Sequence, residues 1–334
     1  MRCRKCGKRA AFNMRHHKLA LCEEHYLEWF VAQTDRAIRN YRMFRRDERV
    51  LVAVSGGKDS LSLWDVLLRL GYQADGLYID LGIDGGFGYS RLSREKVEAF
   101  LADHPEARLH VVDVPALYGE AIPQVARRKQ RGRGKPCSVC GLIKRHEMNR
   151  VALEHGYAVL ATGHNLDDEV AVLLGNVLHW QVGYLARQAP VLEERDGLAR
   201  KVKPFCRFYE REVAAYALMR GIDYIYDECP YAVGSTTIFY KELLSRLETQ
   251  SPGAKLQFYL SFLRAREEGL FRAQAESVEL HPCPVCGQPT SVPGPCAFCR
   301  LWDSGLEVQR SEPEVRTSPP KTRNPERRTQ NPDL

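Results

Sequence analysis

No uninterrupted apolar run in this chain of 334 residues approaches the ~20 residues that a membrane-spanning helix needs. The first residues, MRCRKCGKRAAF, carry basic groups and cysteines where an export signal would have an apolar core. The chain is therefore expected to be cytoplasmic, with no membrane partner. No repeat of solenoid type is present either. Disorder is excluded by composition: 44% of the residues are apolar, enough to bury a large core, and the length suggests about two domains. The balance of 49 Lys+Arg against 42 Asp+Glu leaves +7, which permits nucleic-acid binding without requiring it.

Cysteine, by contrast, is plentiful. Nine of the eleven fall in CxxC or CxxH pairs, which in a reducing compartment argues for metal ligation over disulfides. Cys3-x2-Cys6-x15-Cys22-x2-His25 and Cys283-x2-Cys286-x9-Cys296-x2-Cys299 each offer four soft ligands. Four ligands fill a tetrahedral Zn²⁺ and leave no position for catalysis; iron is the alternative ion. The pair Cys137-Ser138-Val139-Cys140 has no second pair nearby, and fits a redox dithiol, half a zinc site or one edge of a cluster. Completing a site there needs a distant ligand, Cys206 or Cys229, although a lone cysteine is usually a small buried hydrophobe.

Between the two cysteine modules the pattern alternates apolar strand and amphipathic helix. Helical spacing of Tyr26, Phe30, Ile38 and Tyr41 predicts one helix over 24–45. Strands are predicted at 49–54, 74–79, 109–114 and 158–162, with helices at 59–70, 90–103, 141–155 and 165–179. Further helices are predicted at 209–220, 235–248 and 254–270. This order implies an α/β, Rossmann-like parallel sheet with helices on both faces, flanked by a zinc module at each end. The division is 1–28 (first zinc module), 29–48 (linking helix), 49–272 (catalytic domain), 273–305 (second zinc module) and 306–334 (tail). Residues 310–334 hold five prolines and no aromatic residue, so the tail is expected to be disordered.

Strand 49–54 runs into Ser55-Gly56-Gly57-Lys58-Asp59-Ser60 and then a helix. Two glycines let backbone N–H groups approach an anion at a helix N-terminus, although an ordinary capped turn has the same geometry. It is not a Walker A loop, since Val52 and Asp59 stand where that motif needs Gly and Ser or Thr. Nor is GGFG at 85–88 a dinucleotide fingerprint, for its third glycine is missing. A second strand–helix turn reads Gly163-His164-Asn165-Leu166-Asp167-Asp168, in which Asn165 or Asp167 can simply cap the helix.

SGGKDS at such a junction resembles the pyrophosphate loop of the PP-loop ATPases, the adenine nucleotide α-hydrolases, which cleave ATP between the α and β phosphates. GHN-x-DD is similar to the motif of the tRNA-thiolating members of that superfamily. The lone CxxC with a third cysteine resembles the TtuA/TtcA branch, and zinc modules at both ends resemble the TtuA type, over about residues 1–303. The resemblance implies nucleotide contacts from Ala53, Ser55, Gly56, Gly57, Lys58, Asp59, Ser60, Ile79, Gly163 and Asp168, with Mg²⁺ at Asp59 or Asp168. It implies a [4Fe–4S] cluster on Cys137, Cys140 and a third cysteine 89 positions beyond Cys140, which is Cys229; three ligands leave one iron open for sulfide. Cys206 has no counterpart in the pattern and is read as structural. Lys144, one helical turn past Cys140, falls where the family has a catalytic lysine; an exposed helical lysine is otherwise idle.

Residues 127–135 (RRKQRGRGK) hold six Lys/Arg and no acid just before the CxxC. The run is either a solvated surface or, beside the site, a set of salt-dependent phosphate contacts to tRNA. The implied activity is ATP-dependent 2-thiolation of a tRNA uridine, 5-methyluridine 54 in the TtuA type. Sulfur would come from a ubiquitin-like protein ending in a thiocarboxylate, and a homodimer is expected because family members often dimerise. The alternatives are the wobble-uridine (position 34) thiolase, a lysidine-forming ligase, which needs no cluster, or a non-catalytic zinc-finger RNA-binding protein. Intact SGGKDS and Asp168 argue against the last.

Overall fold

The computed structural model describes residues 1–129, 136–195, 197–271, 279–302 and 313–318. At the N-terminus β1 (Phe12–Met14) and β2 (Leu19–Leu21) form an antiparallel hairpin, and α1 (Glu23–Asn40) follows. Its Tyr26, Phe30, Thr34, Ala37 and Ile38 share one buried stripe. The helix predicted to reach residue 45 stops at Asn40. Arg42 takes a left-handed backbone (φ 50°), and the reversal buries Met43 and Phe44 instead.

The central domain then runs β3 (Val50–Val54), α2 (Lys58–Arg69), β4 (Ala74–Asp80), α3 (Tyr89–Ala102), β5 (Arg108–Asp113), α4 (Val114–Tyr118), α5 (Ile122–Lys129), α6 (Pro136–Glu154), β6 (Val159–Thr162) and α7 (Leu166–Leu178). It continues with α8 (Val182–Arg187), β7 (Val191–Leu192), β8 (Arg200–Val202), α9 (Glu210–Arg220), α10 (Thr236–Gln250) and α11 (Ala254–Glu267). A small hairpin, β9 (His281–Pro282) and β10 (Pro289–Thr290), carries the second cysteine module, and β11 (Glu314–Thr317) ends the described chain. The strands predicted at 49–54, 74–79, 109–114 and 158–162 and the helices at 59–70, 90–103 and 165–179 lie within one residue of their predicted ends. Helices α4 and α5 have no predicted counterpart, and α6 begins at Pro136 rather than 141. Proline suits a first helical position because its missing N–H would be unpaired there. The CxxC therefore lies in the first turns of α6, not in the loop before it.

Seven strands form one sheet in the order β11-β5-β4-β3-β6-β8-β7. The inner five are parallel, but β7 and β11 pair antiparallel, so the sheet is mixed rather than purely parallel. The disordered-tail expectation does not hold for Glu314–Thr317. An open sheet edge offers backbone hydrogen bonds that need no apolar payload, and Arg94 bridges Glu98 (2.8 Å) and Glu314 (3.3 Å) across it. Helices cover both faces. One core holds Phe30, Trp64, Phe205 and Tyr216; the other packs α5, α6 and the second cysteine module onto Leu51, Leu77 and Val112. Among the described residues no helix is long and apolar enough to cross a membrane.

Strand order reverses at β3, with β4 on one side and β6 on the other. Open α/β sheets bind ligands at such a switch point, beyond the C-terminal ends of the strands. There the loops 55–57 and 163–165 lie side by side. The sheet beneath is set by Trp64, fully buried, whose indole donates to Ala74 O (2.9 Å) and lies over Gly76. A Cβ on Gly76 would come 2.6 Å from that ring. Gly76→Val should therefore destabilise the chain by about 1–3 kcal/mol, read as a lower denaturant midpoint; an unchanged midpoint would contradict this packing.

Candidate active site and metal modules

The first loop is closed by its own hydroxyls. Ser60 Oγ accepts from Ser55 N (3.0 Å) and donates to Gly57 O (3.1 Å). Gly56 has φ +75°, and a Cβ on it would lie 2.5 Å from Ser93 O, so only glycine fits. Helix α2 opens at Gly57 with no side-chain cap, which leaves its N-terminal N–H groups for an anion. Helix α7 is capped in full: Asn165 Oδ1 accepts from Asp168 N (3.2 Å) and Asp168 Oδ2 from Asn165 N (3.0 Å). Asn165 thus is a cap, and it also donates to Asp59 Oδ1 (3.0 Å). Gly163 lets the two turns meet, since a Cβ there would lie 2.8 Å from the Asp59 carbonyl.

A cavity of about 290 Å³ opens between them. Ala53, Ser55, Gly57, Asp59, Ser60, Ile79, Gly163, Asp168 and Lys144 all line it, with Leu77, Leu81, Ile83, Tyr89 and Met148 forming an apolar wall. Two expected contacts stand apart. Gly56 faces α3, and Lys58 turns to Asp59 Oδ2 and Glu210 Oε1, both at 2.9 Å. Lys241 Nζ lies 2.5 Å from Asp168 Oδ1 and 3.1 Å from Glu210 Oε2. Burial pushes Glu210 up, but Lys241 and Lys58 outweigh it and hold its carboxyl at about 2. Burial works against charge on Lys58 as well, yet Asp59 and Glu210 raise its pKa. Asp59 is raised, chiefly by burial, which Lys58 offsets only in part. Glu210 and Lys241 lie in no motif, and no spacing in the sequence points to them.

Cys137, Cys140 and Lys144 follow one another at i, i+3 and i+7 on α6, and so share one face. Cys137 Sγ donates to Tyr231 O (3.4 Å), which brings the loop after Cys229 onto that face. Burial raises the Cys229 thiol, the Cys140 and Cys137 thiols add to the rise, and Lys144 opposes it. Pro230 packs on Gly85, where a Cβ would come within 2.3 Å of the ring, so the GGFG turn serves as a seat for the Cys229 loop. Tyr89 lines the cavity, and its phenol is raised by burial and then by Cys229 and Cys140. Tyr89 and Lys144 thus stand between cavity and cysteines. Cys206 lies elsewhere, wholly buried in the core beside Phe205, where burial pushes its thiol up to about 12.

In each cysteine module four ligand atoms converge within 4.8 Å of one another, close enough to hold a single ion. Cys6–Cys22 sulfurs are 3.7 Å apart and His25 Nδ1 is 3.2 Å from Cys22 Sγ and 3.5 Å from Cys3 Sγ. Cys283–Cys299 and Cys286–Cys296 are each 3.8 Å apart. An ion about 2.3 Å from each thiolate, in a tetrahedron, requires edges of about 3.8 Å. The Cys137, Cys140 and Cys229 sulfurs do not all lie within 4.8 Å of one another, too open for one such ion. The first module docks on α9 through Tyr26, which donates to Glu212 O (2.7 Å), and through His16, 3.0 Å from the Glu212 carboxylate. The second docks on α6, where Phe298 stacks on His146 (3.5 Å) and Gln288 bonds Asn149 (3.1 Å). Of the basic run, Arg127–Lys129 end α5, and Arg128 is tied to Glu120 and to Leu301 O. Arg131, Arg133 and Lys135 lie outside the described residues.

Residues 2–27 match the family described as 2-thiouridine synthetase TtuA, N-terminal LIM domain. The tRNA-5-methyluridine(54) 2-sulfurtransferase of Thermus thermophilus is 53% identical over 304 residues, 91% of this chain and 92% of that protein. The chain belongs to the TtuA family of tRNA 2-thiolation enzymes. The Thermotoga maritima protein of the same name is 42% identical over 90% of this chain and 96% of its own. Cytoplasmic tRNA 2-thiolation protein 1 of Chlamydomonas reinhardtii is 32% identical over 90% of this chain and 83% of its own length. Among solved structures, the U34-tRNA thiolase NcsA of Methanococcus maripaludis with its [4Fe–4S] cluster superposes with a TM-score of 0.73 at 25% identity, covering 90% of this chain and 95% of that one.

For this TtuA-family enzyme the ligand geometry gives a stoichiometry. Elemental analysis should find about two zinc ions per chain that survive mild oxidation, with Cys22→Ser and Cys296→Ser each losing one. Less than one zinc in the wild-type protein would remove both modules as zinc sites.

Proposed function

We propose that this enzyme adenylates the C2 oxygen of uridine in tRNA, at 5-methyluridine 54, and replaces that oxygen with sulfur. The observation that carries the reading is the continuous path from the uncapped N-terminus of α2, through a cavity with an apolar wall, to Lys144 and three cysteines. In this reading ATP lies along the path, its base toward Ala53 and Ile79 and its phosphates toward Ser55, Gly57 and Ser60, all of which line the cavity. Mg²⁺ would be held by Asp59 and Asp168. The C2 oxygen attacks the α-phosphorus, and the bond to the bridging oxygen breaks, with its electron pair leaving on pyrophosphate. Adenylation is needed because a carbonyl oxygen is a poor leaving group and AMP a good one. Lys144 and the helix dipole of α2 stabilise charge that builds on the α-phosphate oxygens. Sulfur then adds to C2 and AMP departs with the original oxygen.

The three cysteines suit a [4Fe–4S] cluster, because cysteine sulfur is its usual ligand and Cys137 and Cys140 share a helix face onto which the Cys229 loop packs. Bound there, the cluster would supply an iron with no protein ligand to carry sulfide. Tyr89 and the Pro230 loop flank this region, in which Cys137 stays exposed. The remaining parts of the reading are zinc in both modules, a ubiquitin-like thiocarboxylated protein as sulfur donor, a homodimer, and tRNA phosphate contacts along 127–135. Position 54 is favoured over position 34 because the relatives named for uridine 54 share 53% and 42% identity, against 25% for the U34 thiolase.

Mass spectrometry of tRNA nucleosides from a strain lacking this chain should show loss of 2-thio-5-methyluridine, mapped to position 54 by fragment. Loss of a wobble thiouridine alone would move the enzyme to position 34. Lys144→Ala and Asp168→Ala should restore the protein to that strain but not the thiolated nucleoside; restoration by either variant would strip that residue of its role.

The choice of third thiolate is tested separately. Anaerobically reconstituted Cys229→Ala should lose the broad visible absorbance of the cluster, while Cys206→Ala, a core substitution, keeps it at lower thermal stability. The reverse pattern would misplace the site, and loss in neither would return Cys137 and Cys140 to a dithiol or zinc role.

A further inference from the structure

Lys58 and Lys241 come from different helices, α2 and α10, yet one carboxylate holds both. Glu210 Oε1 is 2.9 Å from Lys58 Nζ, and Glu210 Oε2 is 3.1 Å from Lys241 Nζ. Each ammonium has a second acid, Asp59 for Lys58 (2.9 Å) and Asp168 for Lys241 (2.5 Å). Asn165, which bonds both Asp59 and the backbone of Asp168, closes the ring. Charge therefore alternates through Asp59, Lys58, Glu210, Lys241 and Asp168, and Asp59 and Asp168 are the two members that line the cavity.

Packing does not require this arrangement. Helix α10 already meets α7 through Tyr240, which lies against Gly175, and buries Leu244. Lys241 is one of two ammoniums, with Lys58, paired to the two carboxylates that line the cavity. We propose that Lys241, held in register with Lys58 by Glu210, is a binding residue for the β and γ phosphates of ATP and for the departing pyrophosphate. A divalent cation taken up by Asp59 and Asp168 would displace both ammoniums from those acids and leave them for phosphate oxygens. When the bond from the α-phosphorus to the bridging oxygen breaks, the electron pair goes to that oxygen. The charge gained by pyrophosphate is then met by two ammoniums already in place, and no proton needs to move. AMP, which remains on the uridine, has no use for Lys241.

This inference rests on the ATP-dependent reading of the cavity, and binding measurements separate the two. Calorimetric titration of the full-length protein with ATP, AMP and pyrophosphate, each with Mg²⁺, should be compared for wild type, Lys241→Met and Lys241→Gln. Loss of a charge-assisted contact should weaken ATP and pyrophosphate by about tenfold or more and leave AMP unchanged. Both neutral variants should agree, so one that fails to fold leaves the other to decide. Wild-type protein that binds none of the three ligands would overturn the reading of the cavity. Wild-type binding of ATP, with ATP and AMP weakened alike or neither weakened in the variants, would overturn only the role of Lys241.

Discussion

Two helix N-termini meet at the crevice beside β3, and their approach governs the rest of the site. The turns after β3 and β6 can touch only because Gly163 has no side chain to strike the Asp59 carbonyl. The positive ends of α2 and α7 then face one small space, which favours anions and disfavours the lysine that opens α2. Asp59, Asp168 and Glu210 answer that field, and Glu210 keeps Lys58 tolerable at a helix N-terminus. The same field makes the space suited to a polyphosphate.

The proposed reaction also requires sulfur chemistry next to the activated oxygen, and one helix brings the candidate groups together. Because α6 begins at Pro136, Cys137 and Cys140 share a face with Lys144, and that lysine also lines the cavity at the switch point. The third thiolate comes from a loop 89 positions further on (140 to 229), seated by Pro230 on Gly85 and by Tyr231 on Cys137. The two cysteine modules stand outside this path. They brace it from either face of the sheet, the first through α9, whose first residue is Glu210, and the second through α6 itself.

Much of this was legible in the residues. Strand–helix alternation marks the sheet because a parallel strand buried on both faces reads as a short apolar run, and the tight turn after β3 reads from its glycines. Ligand spacing marks the two groups of four side chains that converge at either end. Other features left no such trace. Glu210 and Lys241 are ordinary helical charges whose meaning arises only when α9 and α10 fold over α2 and α7. The edge strand Glu314–Thr317 was hidden by its charges and by the prolines that flank it in sequence, since edge pairing draws on backbone groups that composition does not display. The start of α6 was misplaced because a CxxC resembles a loop motif, whereas a helix presents the same i, i+3 spacing equally well.

The central claim is that the base oxygen is activated at the α2–α7 crevice and leaves in AMP. Oxygen-18 placed at C2 of the target uridine of a tRNA substrate tests it directly, in a single turnover with ATP and a sulfide source. The label is predicted in the phosphate of AMP, with unlabelled pyrophosphate. Label recovered in water or pyrophosphate, with unlabelled AMP, would contradict adenylation of the base.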